Sequence, residues 1–230
     1  MNPEPPPGTR CGIDTVEITY SYTNIYSCTV SASKTIIVIA PVFFNCGDTL
    51  TDIRDNKIYP TVQLGTQCWM ASNLDYGSSL PGALTQRDNC TPEKFCYSDN
   101  PGNCATMGGL YQWDELMQYS DMPASQGLCP PEWHVPTEND WSSLFLVFIS
   151  SGFAGSPLKY TGYTGFNAFL NGVRFRNVSW NFLNFATIFW SSTARGAKKA
   201  WAHGMNEYNP SVSFYPGSRQ NAFSVRCIRD

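Results

Sequence analysis

The nine residues Trp133-His-Val-Pro-Thr-Glu-Asn-Asp-Trp141 contain a helix start that is legible in the sequence. Thr137 stands three residues ahead of Asp140. At that spacing a hydroxyl and a carboxylate exchange hydrogen bonds with each other's backbone amides across a first helical turn. Trp141, Leu144, Phe145 and Phe148 then recur at helical spacing, and Gly152 supplies a stop. Upstream, Leu110-Tyr-Gln-Trp-Asp-Glu-Leu-Met-Gln-Tyr119 predicts a second helix with Leu110, Trp113, Leu116 and Met117 on one face. Downstream the period becomes that of strands, predicted over 166–176, 187–193, 199–206, 211–215 and 222–229. Two main helices in mid-sequence followed by a β-rich C-terminal half make an α+β architecture.

Toward the N-terminus the texture changes. Residues 1–9 are Pro-rich and read as linker. Residues 14–20 alternate apolar and polar, and residues 28–40 end in a β-branched run closed by Pro41, so both predict strands. They resemble the last strands of an immunoglobulin-like or PKD-like repeat. Two or three strands do not bury a core alone. The organisation expected is a short all-β appendage with its linker over 1–45, followed by one domain over 46–230.

Composition narrows the function. Of 230 residues 42% are apolar and 14% charged, with 14 Phe, 12 Tyr and 7 Trp, too much apolar surface for a disordered chain. The longest apolar run, Ile36 to Phe44, is nine residues with a proline inside it. A membrane-spanning helix needs roughly 18 or more, so no membrane insertion is expected. A net charge of −3 without a long basic run argues against nucleic acid as the partner. Nine scattered cysteines without paired CxxC knuckles, and with only His134 and His203 as co-ligands, read as disulfides in an oxidising compartment. The odd count leaves at least one thiol free or paired outside the chain. No signal peptide is visible, since Met1-Asn-Pro-Glu-Pro-Pro-Pro lacks an apolar core; an exported protein would then be the mature form or a fragment.

Six motifs occur in order: Val62-Gln-Leu-Gly-Thr-Gln-Cys-Trp-Met-Ala-Ser-Asn-Leu74, Cys96-Tyr-Ser-Asp-Asn-Pro-Gly-Asn-Cys104, Gly109-Leu-Tyr-Gln-Trp113, Cys129-Pro-Pro-Glu-Trp-His-Val-Pro-Thr137, Phe189-Trp-Ser-Ser-Thr193 and Phe223-Ser-Val-Arg-Cys-Ile-Arg-Asp230. Together they resemble the Fibrobacter succinogenes major paralogous domain (FISUMP) family over residues 46–230. The resemblance implies an exported domain of Bacteroidetes-type bacteria, often at the end of long surface or lipid-anchored proteins; it carries no known general biochemical activity with it. Trp133 to Trp141 is also similar to the Arg-Leu-Pro-Thr-x-x-Glu-Trp signature of formylglycine-generating-enzyme-like proteins. That likeness implies a C-type-lectin-like fold. It also implies a bridge between Cys129 and Cys227, with Cys96–Cys104 and Cys46–Cys68 as local bridges, Cys11–Cys28 stapling the appendage, and Cys90 left unpaired.

Catalysis fails on inventory. Formylglycine generation requires a cysteine pair near the C-terminal core, whereas Cys227 is the only cysteine after residue 129. No Gly-x-Ser-x-Gly, His-Glu-x-x-His or phosphate-loop motif is present. His134 reads as a core histidine, His203 as an exposed or edge histidine, and Asp114-Glu115 as helix-surface acids. No cofactor is expected. Calcium is the one candidate, since Asp52-Ile-Arg-Asp-Asn56 puts three oxygen side chains in five positions and Asp99-Asn100 lies in a turn, but Arg54 inside the first opposes a cation and a plain Asx turn is the better reading.

Charge is distributed unevenly. Residues 171–230 hold eight Lys/Arg against two acids, a net +6, so residues 1–170 carry −9. A basic face suits an acidic glycan or an acidic protein surface. The candidate binding residues are Arg195, Lys198, Lys199, Trp201, Tyr208, Tyr215 and Arg219, in or beside loops, while Phe189, Trp190 and Phe223 read as core. The function expected is therefore a non-enzymatic, secreted or surface-displayed recognition or adhesion module, part of a larger surface protein or complex, binding a glycan or a protein partner. Two alternatives stand. One is a structural cap or assembly subunit of a surface filament or secreted complex. The other is a phage or retroelement-diversified receptor-binding protein, varied between Ser191 and Asn221.

Overall fold

The computed structural model describes residues 14–23, 29–38, 44–148 and 152–230. The chain divides into two compact units, Met1–Phe44 and Asn45–Asp230. In the first, β1 (Asp14–Thr23) and β2 (Thr29–Val38) form an antiparallel pair running from Asp14 opposite Val38 to Thr23 opposite Thr29. The Pro-rich segment 1–9 and the expected Cys11–Cys28 bridge lie outside the described residues.

In the second unit, strands are β3 (Thr49–Thr51), β4 (Ile58–Leu64), β5 (Gln67–Met70), β6 (Ser78–Ser79) and β7 (Glu93–Lys94). Then come α1 (Pro101–Met107), β8 (Tyr111–Gln112), α2 (Trp113–Leu116), β9 (Trp133–His134), α3 (Glu138–Leu146) and α4 (Gly155–Leu158). The C-terminal half is β10 (Asn171–Arg174), β11 (Trp180–Leu183), β12 (Ala186–Ala194), β13 (Lys199–Asn206), β14 (Ser213–Ser218), β15 (Ala222–Phe223) and β16 (Ile228–Arg229). One sheet has the order β14-β13-β12-β10-β15-β8, with β11 paired to β10; a second has the order β3-β4-β5-β16-β9; and β6 and β7 form a small sheet of their own. The architecture is α+β. Among the described residues no helix is long and apolar enough to cross a membrane.

The capping pair forms as its spacing predicts. The Asp140 amide donates to Thr137 Oγ1 at 3.2 Å and the Thr137 amide to Asp140 Oδ2 at 2.8 Å. α3 thereby turns Trp141 and Leu144 onto the core, where Trp141 lies 4.9 Å from Trp69 and 5.7 Å from Phe189 between ring centres. In β4, Tyr59, Thr61 and Leu64 are buried, with Ile58, Pro60 and Gln63 facing outward. The β4–β5 hairpin closes through Gly65, whose φ of +62° is accessible to glycine at little cost.

Three expectations need correcting. Leu110–Tyr119 is not one helix. Gln112 and Tyr111 pair with Ala222 and Phe223, and Gln118 and Tyr119 adopt positive φ, so helix survives only over Trp113–Leu116. A helix that sequence reading missed, α1, starts at Pro101 behind an Asn100 side chain that accepts from the Gly102 amide. Finally, the run 222–229 is not one strand. β15 belongs to the first sheet and β16 to the second, so the chain crosses between sheets over residues 224–227.

Arg226 sits at that crossing, fully buried. Its guanidinium donates to Asn73 Oδ1 through both Nε and Nη2, to the carbonyls of Met70 and Phe166 through Nη1, and to the carbonyl of Asn167 through Nη2. It also lies 4.4 Å from the centre of the Phe166 ring. All these acceptors are neutral, and burial lowers the guanidinium's pKa.

Among the described residues three disulfides join Cys46 to Cys68, Cys96 to Cys104 and Cys129 to Cys227, and Cys90 is free and exposed. The pairings implied by the resemblance for these six cysteines are the ones found. Cys129 and Cys227 stand just ahead of β9 and β16, which are neighbours in the second sheet.

Candidate functional site

Three antiparallel strands, β12, β13 and β14, carry the basic segment. The turn between β12 and β13 passes through Gly196 at φ +76° and closes with the Arg195 amide donating to the Lys199 carbonyl at 2.8 Å. This leaves Lys198 and Lys199 exposed, and sets the Arg195 guanidinium over the Trp201 ring at 4.6 Å. On the neighbouring strand Lys199 pairs with Ser218 and Ala200 with Gly217. Gly217 is required there. A Cβ would meet the Phe223 ring at 2.9 Å and the Trp190 ring at 3.1 Å, the aromatic layer beneath the strand.

Beside this hairpin lies a groove of about 650 Å³ whose lining includes Asp114, Arg176, Lys198, Lys199, Tyr215, Arg219, Gln220 and Asn221. Its cations are unequal. Arg219 is committed to the fold: it stacks on Trp113 at 4.0 Å and pairs with Asp114 at 3.1 Å and Asp121 at 2.8 Å. Its Nη2 is buried with no hydrogen-bond partner among the described residues. Arg176, Lys198 and Lys199 are exposed and form no ion pair among the described residues. Tyr215 is half-buried in the groove lining, and burial raises its phenol pKa.

Of the seven residues singled out from sequence, Lys198, Lys199, Tyr215 and Arg219 line the groove, whereas Arg195 and Trp201 stack on each other in and beside the β12–β13 turn and are not among its lining residues. Tyr208 does not belong. It is 78% exposed on a different strip, 5.8 Å from Phe185, which in turn lies 6.0 Å from Phe182. Sequence reading missed Arg176 and Asn221, although the Arg176 amide donates to Asn221 Oδ1 and binds the two into one wall. The signal for Arg176 was its place in the basic count. The +6 excess also overstates the basic face, because Arg174 and Arg226 are buried and Arg229 pairs with Glu132.

The other polar candidates are structural. His203 is not at an edge. β13 lies between β12 and β14, the imidazole is 3% exposed, and Nε2 meets Glu138 Oε1 at 3.0 Å. Glu115 is not on the surface either. It is buried, which raises its pKa, though it accepts from the Glu93 amide and the Tyr119 hydroxyl. The Asp52 carboxylate is fully buried and held at both oxygens by Arg54, at 2.8 and 2.7 Å. Among the described residues no three His, Cys, Asp or Glu side chains cluster as a metal site.

His134 is caught between two carboxylates, with Nδ1 2.5 Å from Asp230 and Nε2 3.3 Å from Asp140. Burial alone would lower its pKa, but hydrogen bonding to Asp140 and Asp230 outweighs it and the pKa is raised. For Asp140, burial is likewise outweighed by His134 and Thr137, and the pKa is lowered. A histidine raised on folding contributes stability that is whole below its unfolded pKa and is lost as pH climbs through the folded one. The urea midpoint of the protein is therefore expected to fall between roughly pH 6 and 8, across the histidine range. The His134→Asn variant should lack that decline; a wild-type midpoint flat over the interval refutes the imidazolium bridge.

A family model for the Fibrobacter succinogenes major domain matches residues 62–229. No curated protein and no solved structure matches the chain.

Proposed function

The chain belongs to the Fibrobacter succinogenes major domain family, and from that premise we propose a non-enzymatic recognition module, secreted or displayed on the cell surface, whose basic groove holds an acidic glycan. The observation that carries this reading is the set of three exposed cations, Arg176, Lys198 and Lys199, around one groove without a carboxylate partner among the described residues. Cations left unpaired beside a concavity remain available to a carboxylate or sulfate of a ligand. The Asn221 and Gln220 amides and the Tyr215 ring beside them suit hydroxyls and a sugar face. Three disulfides among the described residues support an oxidising, extracellular setting. A C-type-lectin-like fold for residues 46–230 and an immunoglobulin-like origin for β1 and β2 complete the reading.

The test is titration calorimetry with an oligouronate and with a neutral oligosaccharide of equal length. Exposed ion pairs contribute about 0.2–1 kcal/mol each. The double variant Lys198→Glu/Lys199→Glu replaces attraction by repulsion and is expected to weaken oligouronate binding roughly tenfold to a hundredfold, at about 1.4 kcal/mol per decade. Added salt should weaken the wild type in the same sense. Equal affinity for the neutral sugar, or an unaffected double variant, refutes the proposal.

A further inference from the structure

Asp75 follows the buried Leu74, and Lys94 precedes the buried Phe95. Between them β6 and β7 pair in parallel, Ser78 with Glu93 and Ser79 with Lys94, which brings the lysine back beside the aspartate. Lys94 Nζ lies 2.5 Å from Asp75 Oδ1 and 2.8 Å from the Asp75 carbonyl oxygen. The other carboxylate oxygen, Oδ2, is held by Lys57 Nζ at 2.7 Å, and Lys57 also donates to the Asp75 carbonyl. Two amines thus converge on one carboxyl group.

Their surroundings differ. Lys94 is 5% exposed, and its stem runs past Gly109, where a Cβ would lie 3.1 Å from Lys94 Cδ and 2.9 Å from the Tyr111 hydroxyl. Lys57 is 36% exposed at its side chain and has Asp55 at 3.5 Å on its far side. Burial is the largest influence on Lys94 and, with Lys57 beside it, lowers its pKa below the ordinary lysine value. For Lys57 burial is outweighed by hydrogen bonding and by the charges of Asp75 and Asp55, and its pKa is raised. Environments that push two neighbouring groups apart in this way divide them into a nucleophile and an acid.

We propose that Lys94 and Asp75 condense into an intramolecular isopeptide bond, with Lys57 as the acid. With Nζ 2.5 Å from Oδ1, the amine is in direct contact with the carboxyl group, and attack on such a carbon begins from about 3–3.5 Å. The Lys94 amine in its neutral form attacks Asp75 Cγ, forming the N–C bond. Lys57 holds Oδ2 as negative charge gathers on it. The bond from Cγ to that oxygen breaks, and the oxygen leaves as water, carrying one proton from the attacking nitrogen and one from the Lys57 ammonium. Lys57 ends neutral and recovers a proton from solvent; nothing is oxidised or reduced. The half-exposed position of Lys57 gives the water a way out. Burial favours the neutral amide over the separated charges it replaces.

The intact mass of the reduced protein and fragmentation of its digest read the bond directly. A chain one water lighter than its reduced sequence mass is expected, together with a branched peptide joining the segments that carry Asp75 and Lys94. The Lys94→Arg variant should return to the full mass. Lys57→Met keeps both reacting residues and should form the lighter species roughly a hundredfold more slowly, the usual scale of a lost general acid. Full sequence mass from the folded wild-type protein, or a water loss without the branched peptide, overturns the proposal.

Discussion

Replacing Arg226 with methionine lowers the unfolding free energy by about 4 kcal/mol or more, a large share of the 5–15 kcal/mol typical of a domain. Methionine fills much of the volume but removes both the charge and the hydrogen bonds, and relief of the charge's burial offsets part of the loss. The substitution leaves Asn73 Oδ1 and the carbonyls of Met70, Phe166 and Asn167 without the donor that the guanidinium supplied. A buried acceptor stripped of its donor costs about 1–3 kcal/mol. Three buried acceptors and the half-buried Asn167 carbonyl together give more than one substitution usually does. Arg226→Lys restores the charge but not the planar fork, and is expected to recover less than half of the loss. Urea unfolding of the three proteins decides it: a methionine variant within about 1 kcal/mol of wild type would show that these bonds carry little net stability.

The second large effect comes from the Cys129–Cys227 bridge. Its partners are 98 residues apart, against 8 for Cys96 and Cys104. In the chain-entropy description the longer closure contributes about 4–5 kcal/mol and the shorter about 2–3. Paired alanine substitutions at Cys129 and Cys227 are therefore expected to lower the urea midpoint nearly twice as far as those at Cys96 and Cys104. Equal losses would indicate that strain or residual structure in the unfolded chain, rather than loop length, sets the contribution. Both variants belong in the same buffer and at the same pH, given the titration of His134.

Local chemistry was the legible part of this sequence. Thr137 and Asp140 are three residues apart, and their mutual capping depends on nothing distant. The core aromatics Phe189, Trp190 and Phe223 were readable because large apolar rings are buried wherever a core exists. Long-range pairing was not legible. Tyr111 and Gln112 look helical until a strand more than a hundred residues away claims them. His203 looks marginal until β14 covers the side of β13 that would have been an edge. Glu115 carries no mark in its neighbours of the Glu93 amide that will bind it.

For the candidate site the charge count pointed to the right region but overestimated it. A one-dimensional count gives every arginine equal weight. Folding removes Arg174 and Arg226 into the interior and ties Arg219 to Asp114 and Asp121. What remains facing solvent in the groove is three cations rather than a field of eight. Tyr208 failed for a related reason. Adjacency along the chain placed it near the basic hairpin, whereas the β13–β14 turn carries it away toward Phe185.

The placement of β16 has a consequence for timing. Ile228 is paired on one side with Trp69 and on the other with His134, so residues 228–229 fill the space between two strands made much earlier. Until they arrive, β5 and β9 each show an open edge, and the Cys129 thiol waits for a partner at residue 227. A chain emerging from its N-terminal side can form the β4–β5 hairpin and cap α3, but it cannot close its second sheet. Residues 227–229 therefore act as the clasp of the second sheet, and its closure waits on a segment that lies about a hundred residues beyond Cys129 and β9.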